Sequence, residues 1–205
     1  MAEDGGAAGL EQYCLLAKTA KGRACVALIQ KVMADKKIFV FGELLAMPNV
    51  QGLRGTEHEP YLRLLELFAY GVYGDHKAAG GALPQLSDAM TEKLRMLTVV
   101  ALANTSRVVP YGKLQEALGV SSVRVVEDVV LDAMYAGLLQ CRLDQRAGTL
   151  RVQHVTPRDV RPEEIDSMIA TLDMWAGATD RALRGLRKGV NSAKAAWKAE
   201  EVQQR

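Results

Sequence analysis

The sequence predicts a mainly α protein in three parts: a helical-repeat (HEAT- or TPR-like) platform, a winged helix with a small β-sheet, and one long C-terminal helix. Three observations carry this. Residues 110–155, PYGKLQEALGVSSVRVVEDVVLDAMYAGLLQCRLDQRAGTLRVQHV, read by period as a short helix, a turn, a longer helix and a two-stranded hairpin. The residues before them are dense in Ala, Leu, Val and Met at helical spacing. From Pro162 onward, apolar residues recur at steps of three and four.

Taken in order, residues 1–8 are expected to be a disordered start and residues 9–105 the helical platform. LEQYCLLAKTA, from Leu10, and RACVALIQKVMAD predict two antiparallel helices broken at Gly22. IFVF, residues 38–41, has strand propensity, but so short a run between helices reads as an extended connector whose aromatics plug a core. Glu43 to Met47 add one helical turn, ended by Pro48 and the glycines at 52 and 55. From Glu59 a single helix is predicted through PYLRLLELFAYGVYGDHKA, with Pro60 in its first turn, where a missing amide proton costs nothing. AAGGALP is a loop. Ser87 then caps a helix that reaches about Asn104 and buries Met90, Leu94, Leu97 and Ala101. No repeat of fixed period appears, so any solenoid is degenerate.

Residues 106–157 form the winged-helix part. Val108 and Val109 are a short extended piece before Pro110, and a helix from Tyr111 to Leu118 ends at Gly119, a suitable left-handed cap. The longer helix, Val123 to Gly137, is capped by Ser121 and Ser122 and turns Val123, Val126, Val130, Ala133, Met134 and Gly137 to the core. Its opposite face carries Arg124 against Glu127, Asp128 and Asp132. A helix that reads a DNA groove must lie among phosphates, so this charge balance argues against groove reading and for a protein partner. LLQCRL and TLRVQHV are the two strands of the wing, joined across DQRAG with Gly148 in the turn.

Residues 158–205 carry the terminal helix. Ile165, Met168, Leu172, Trp175, Thr179, Ala182 and Leu186 follow steps of three and four, with Val190, Ala193 and Trp197 continuing less strictly. Acids come first, Glu163, Glu164, Asp166, Asp173 and Asp180, and bases follow, from Arg181 to Lys198. A lone helix of this length has too little chain around it to bury its own seam. Helices of other chains are expected to cover it.

The whole composition excludes little by charge: 24% of the 205 residues are charged and the net charge is +2. MAEDGGAAG lacks the basic start and apolar run of a secretory signal, and Met96–Ser106 is far shorter than the ~20 residues of a spanning helix. The expectation is a soluble intracellular chain. Cys14, Cys25 and Cys141 have no CxxC spacing and read as buried thiols. His58, His76 and His154 form no HxH or HExxH pair, and GxGxxG, GxxxxGK and GxSxG are absent. Glu57-His58-Glu59 reads as a solvated helix start. No catalytic residue, metal ligand or cofactor is assigned.

With these residues in place, the chain resembles the PCI-domain family, whose members carry a helical stack, a winged helix and a terminal helix in this order. Within it, KLR at 93–95, Pro110-Tyr111, VRVVEDVVLDAMYAGLL at 123–139 and Leu143-Asp144-Gln145 are similar to the subunit 7 family of the COP9 signalosome. LLAKTAKG at 15–22, FVFGELLAMPNV at 39–50 and FAYGVY at 68–73 are similar to it too. The likeness covers roughly residues 10–175; the basic, low-complexity tail it implies beyond the terminal helix is missing, as in a shortened chain.

The resemblance implies a non-catalytic scaffold, nuclear and cytoplasmic, in the complex that removes Nedd8 from cullin-RING ubiquitin ligases, with other PCI subunits, 4 and 8 among them, as neighbours in a hetero-oligomer. It implies docking through the sheet of the wing, edge to edge, and through a shared helical bundle. The strand Thr149–Val155 is expected to offer the unpaired edge. Its contact residues would be Arg142, Leu143, Asp144, Gln145, Thr149, Arg151 and Val152, with Arg142, Asp144 and Arg151 setting register. The bundle would take Met168, Leu172, Trp175, Thr179, Leu183, Leu186 and Val190; the alternative is that Ile165 to Trp175 pack on the wing of their own chain. Two other readings stand beside this one. One is a PCI subunit of translation initiation factor three or of the proteasome lid. The other is a winged-helix nucleic-acid binder using Arg142, Arg146, Arg151, Arg158 and Arg161 with the basic Arg181–Lys198 stretch, against which the acidic helix face argues.

Overall fold

Helix α1 (Asp4–Ala17) and helix α2 (Arg23–Ala34) are separated at Gly22, whose φ of 55° suits glycine alone. The computed structural model describes the backbone of residues 4–203 and the side chains of residues 9–194 and 197. Of the start expected to be disordered, residues 1–3 lie outside the described residues, and from Asp4 the chain is helical. Leu10 and Cys14, both buried, anchor α1, and a nucleated helix extends at the gain of one hydrogen bond per residue.

Ile38 to Phe41 form no strand; Ile38 and Phe41 are buried, and Phe41 meets Phe68 edge-on at 6.0 Å between ring centroids. Two short turns follow, α3 (Gly42–Leu45) and α4 (Pro48–Gln51). Pro48 starts the second of them instead of ending the first, because a proline at the first helical position gives up no bonded amide.

The helix expected to run unbroken from Glu59 is two: α5 (Glu59–Tyr70) and α6 (Tyr73–Ala78). Gly71 is extended, the Val72 amide donates to Asp75 Oδ2, and the Tyr73 amide donates to Thr98 Oγ1 at 2.9 Å. These polar side chains take over amides that a continuing helix would have bonded itself. Helix α7 (Asp88–Thr105) starts as predicted, with Ser87 Oγ accepting from the Met90 amide. It serves two cores. Leu94 and Leu97 join Phe41, Phe68, Ile29 and Leu65 in the platform, while Val99 and Ala103 face the winged helix.

The winged helix comprises β1 (Val108–Pro110), α8 (Tyr111–Leu118), α9 (Val123–Tyr135), β2 (Leu139–Asp144) and β3 (Thr149–Val155). Gly119 and Gly148, at φ of 63° and 60°, make the turns expected of them. The sheet order is β1-β3-β2, antiparallel throughout, with Val108 opposite Arg151 on one side and Arg142 opposite Arg151 on the other. Thr149–Val155 is therefore the central strand, not an edge. The extended piece before Pro110 is a third strand that covers it. Helix α10 (Pro162–Gln203) completes the chain. The chain divides into two compact units, Met1–Asp159 and Val160–Arg205.

Candidate partner-binding surfaces

β2 and the three-residue β1 are the outer strands of the sheet, and β2 is the longer edge. Its residues alternate: Leu139 and Cys141 are buried beneath α9, Gln140 and Arg142 point out, and Leu143 and Asp144 are half-buried. A register shift at Gln140/Cys141 leaves Cys141–Asp144 as the regular stretch, opposite Val152, Arg151, Leu150 and Thr149. On the outer face of the sheet Arg142 and Arg151 stand directly opposite each other. Like charges in a cross-strand pair repel, and Arg151 is compensated by Asp144 at 3.7 Å.

The predicted edge residues thus separate. Arg142, Leu143 and Asp144 lie on the β2 edge, whereas Thr149, Arg151 and Val152 belong to the central strand, where the Val152 amide donates to the Arg107 carbonyl. Asp144 Oδ1 accepts from the Ala147 amide, closing the hairpin turn. Gln145 donates to both carboxylate oxygens of Glu127 at 2.9 and 3.1 Å, and the Tyr111 hydroxyl donates to Glu127 at 3.3 Å. Burial, with Glu127 beside it, pushes the Tyr111 phenol up to about 12.

This corrects the expected face of α9. Glu127 turns inward to hold α8 and the hairpin together, leaving Arg124, Asp128 and Asp132 exposed, with Val123, Leu131 and Tyr135 also exposed. Val123, expected in the core, sits in the first turn, where too little of the helix is covered. Ser122 is the N-cap by position, yet its side chain makes no capping bond.

Every described residue of α10 is exposed save Gly177, which is partly covered. Met168, Leu172, Trp175, Thr179, Leu183, Leu186 and Val190 are all exposed, Trp175 at 72% and Leu186 at 69%. Local bonds run along the helix, such as the ion pair between Arg184 and Asp180 one turn apart.

Sequence reasoning missed two cations. Arg158, expected in a nucleic-acid patch under the alternative reading, instead donates from its guanidinium to the carbonyls of Phe68, Ala69 and Gly71 at 2.9, 3.1 and 3.0 Å and of Leu97 at 3.3 Å. It thereby terminates α5, whose last carbonyls have no helical partner. Asp159 next to it accepts from the Phe41 and Gly42 amides at 2.6 and 3.0 Å. Burial raises the Asp159 carboxyl and lowers the Arg158 guanidinium, and each opposes the other's shift. Lys93, 2% exposed, donates from Nζ to the carbonyls of Val32, Met33 and Asp35 at the end of α2, and lies over the rings of Phe39 and Phe41. The one sequence signal for either is a charged residue inside an apolar helix or a proline-bounded connector.

Cys14, Cys25 and Cys141 are all buried, and burial raises each thiol. Among the described residues no three His, Cys, Asp or Glu side chains gather to hold a metal ion, and no helix is long and apolar enough to cross a membrane.

A helical platform, a winged helix with a three-stranded sheet and a long terminal helix are the parts of a PCI-class fold, and the PCI domain family matches residues 74–154. The CSN7 helical bundle subdomain matches residues 11–42. COP9 signalosome complex subunit 7 of Dictyostelium discoideum is 44% identical over 85% of this chain and 67% of its own length. Subunit 7a of Mus musculus is 42% identical over 89% and 66%, and subunit 7 of Arabidopsis thaliana 37% identical over 90% and 71%. The chain belongs to the COP9 signalosome subunit 7 family. It spans about two thirds of the length of these relatives.

Proposed function

We propose that the chain is a non-catalytic scaffold subunit of the COP9 signalosome that supports removal of Nedd8 from cullins by holding neighbouring subunits in place, in nucleus and cytoplasm. Two surfaces carry the work. The β2 edge takes a strand of a neighbour's sheet, main-chain bonds supplying adhesion and an acidic group between Arg142 and Arg151 supplying register. Helix α10 enters a bundle with helices of other PCI subunits, 4 and 8 among them.

The observation that supports this best is the exposure of apolar residues along the described residues of α10, an apolar surface that isolated proteins seldom leave open. The test is co-purification of recombinant subunits 4 and 8 with the intact chain and with a chain ending at residue 160. The intact chain is expected to retain both, and the shortened chain to lose at least one. Full retention by the shortened chain would remove α10 from the account.

A further inference from the structure

Starting at Ile165 and stepping four and three residues alternately, α10 meets ten positions ending at Trp197, all apolar or small apart from Thr179. Read backwards from Trp197, the steps are the same. The seam is thus symmetric about Arg181, so that in an antiparallel pair of copies Ile165 meets Trp197, Leu172 meets Val190 and Thr179 meets Leu183. We propose that α10 pairs with α10 of a second copy of this chain as an antiparallel two-stranded coiled coil whose two-fold axis passes at Arg181.

Charge supports this occupant and this direction. One flank of the seam carries a charged residue every seven positions: Asp166, Asp173, Asp180, Arg187 and Lys194. Across the two-fold axis Asp166 faces Lys194 and Asp173 faces Arg187, giving four attractive pairs per dimer, while Asp180, near the axis, is already paired with Arg184 of its own helix. The sign change of the whole helix falls at the same point, since no base occurs from Pro162 to Asp180 and no acid from Arg181 to Ala199. A parallel pair would set acid against acid along one half and base against base along the other. On the second flank Trp175, 72% exposed, faces Gly189, which leaves space for the indole. Such an interface is isologous, the usual form of a soluble homodimer. It stands apart from the assembly reading above, although one α10 cannot serve both at once.

The test uses the full chain. Sedimentation equilibrium is expected to find a dimer at concentrations up to about 100 µM, weakening as salt screens the flanks. Two charge-swapped chains, one with Asp166→Lys and Asp173→Lys, the other with Arg187→Asp and Lys194→Asp, are each expected to self-associate at least about tenfold more weakly. Their equimolar mixture restores all four attractions and is expected to dimerise as the native chain does, which also shows that both swapped chains fold. Direction is read by cross-linking with a short bismaleimide: chains carrying Leu172→Cys and Val190→Cys are expected to join to each other and not to themselves. A native chain monomeric throughout, association indifferent to the swaps, or Leu172→Cys chains joining to themselves would each overturn the proposal.

Discussion

Replacing Arg158 by Ala removes a guanidinium that serves four carbonyls at once, those of Phe68, Ala69 and Gly71 at the end of α5 and that of Leu97 in α7. The substitution leaves those oxygens to whatever water reaches them and deprives half-buried Asp159 of its neighbouring positive charge. Breaking a largely desolvated charged network on one side costs about 3–5 kcal/mol. With a urea dependence of roughly 2 kcal/mol/M for a domain of this size, the unfolding midpoint followed by far-UV circular dichroism should fall by about 1.5–2.5 M. Arg158→Lys, which keeps the charge but not the planar fork, should fall between the two. A midpoint for Arg158→Ala within about 0.3 M of the native chain would refute the idea that this side chain closes α5 and fixes the connector at residues 156–159.

Three further outcomes follow from buried groups. Burial lowers the Lys93 ammonium to about 7 from its ordinary 10.5, so between these values the unfolded chain binds the proton and the folded chain has released it. Stability of the native chain relative to Lys93→Met should therefore rise as pH increases from about 7 to above 10; denaturant titrations of both proteins across that range check the sign. Spectrophotometric titration near 295 nm should show one of the six tyrosines ionising at about 12, and Tyr111→Phe should remove that component. The three cysteines should react slowly with a thiol reagent in the native chain and quickly in urea, because burial both raises each thiol and blocks access.

Periodicity was enough to place α1, α2, α7, α8 and α9, because each carries an apolar face of three or more residues and a Gly, Ser or Pro at or near a boundary. The same logic failed where a distant side chain decides the local structure. Nothing between Glu59 and Ala78 announces the break at Gly71, since the donor that ends α5 is 87 residues away, at Arg158. The wing illustrates a second limit. Alternation identified β2 and β3 as strands, but which one is the edge depends on whether Val108–Pro110 joins the sheet, and a three-residue strand leaves no periodic signal. The candidate residues of α10 needed no such information. Steps of three and four mark them from the sequence alone, and each is exposed.

If β2 and α10 carry the proposed contacts, hydrogen–deuterium exchange of the chain alone and within the assembled complex will show it. Slowed exchange is expected at Cys141–Asp144 and along α10 on assembly, with Val108–Pro110 and the outer face of α9 unchanged. Protection at Val108–Pro110 or on α9, with β2 and α10 exchanging as in the free chain, would contradict it.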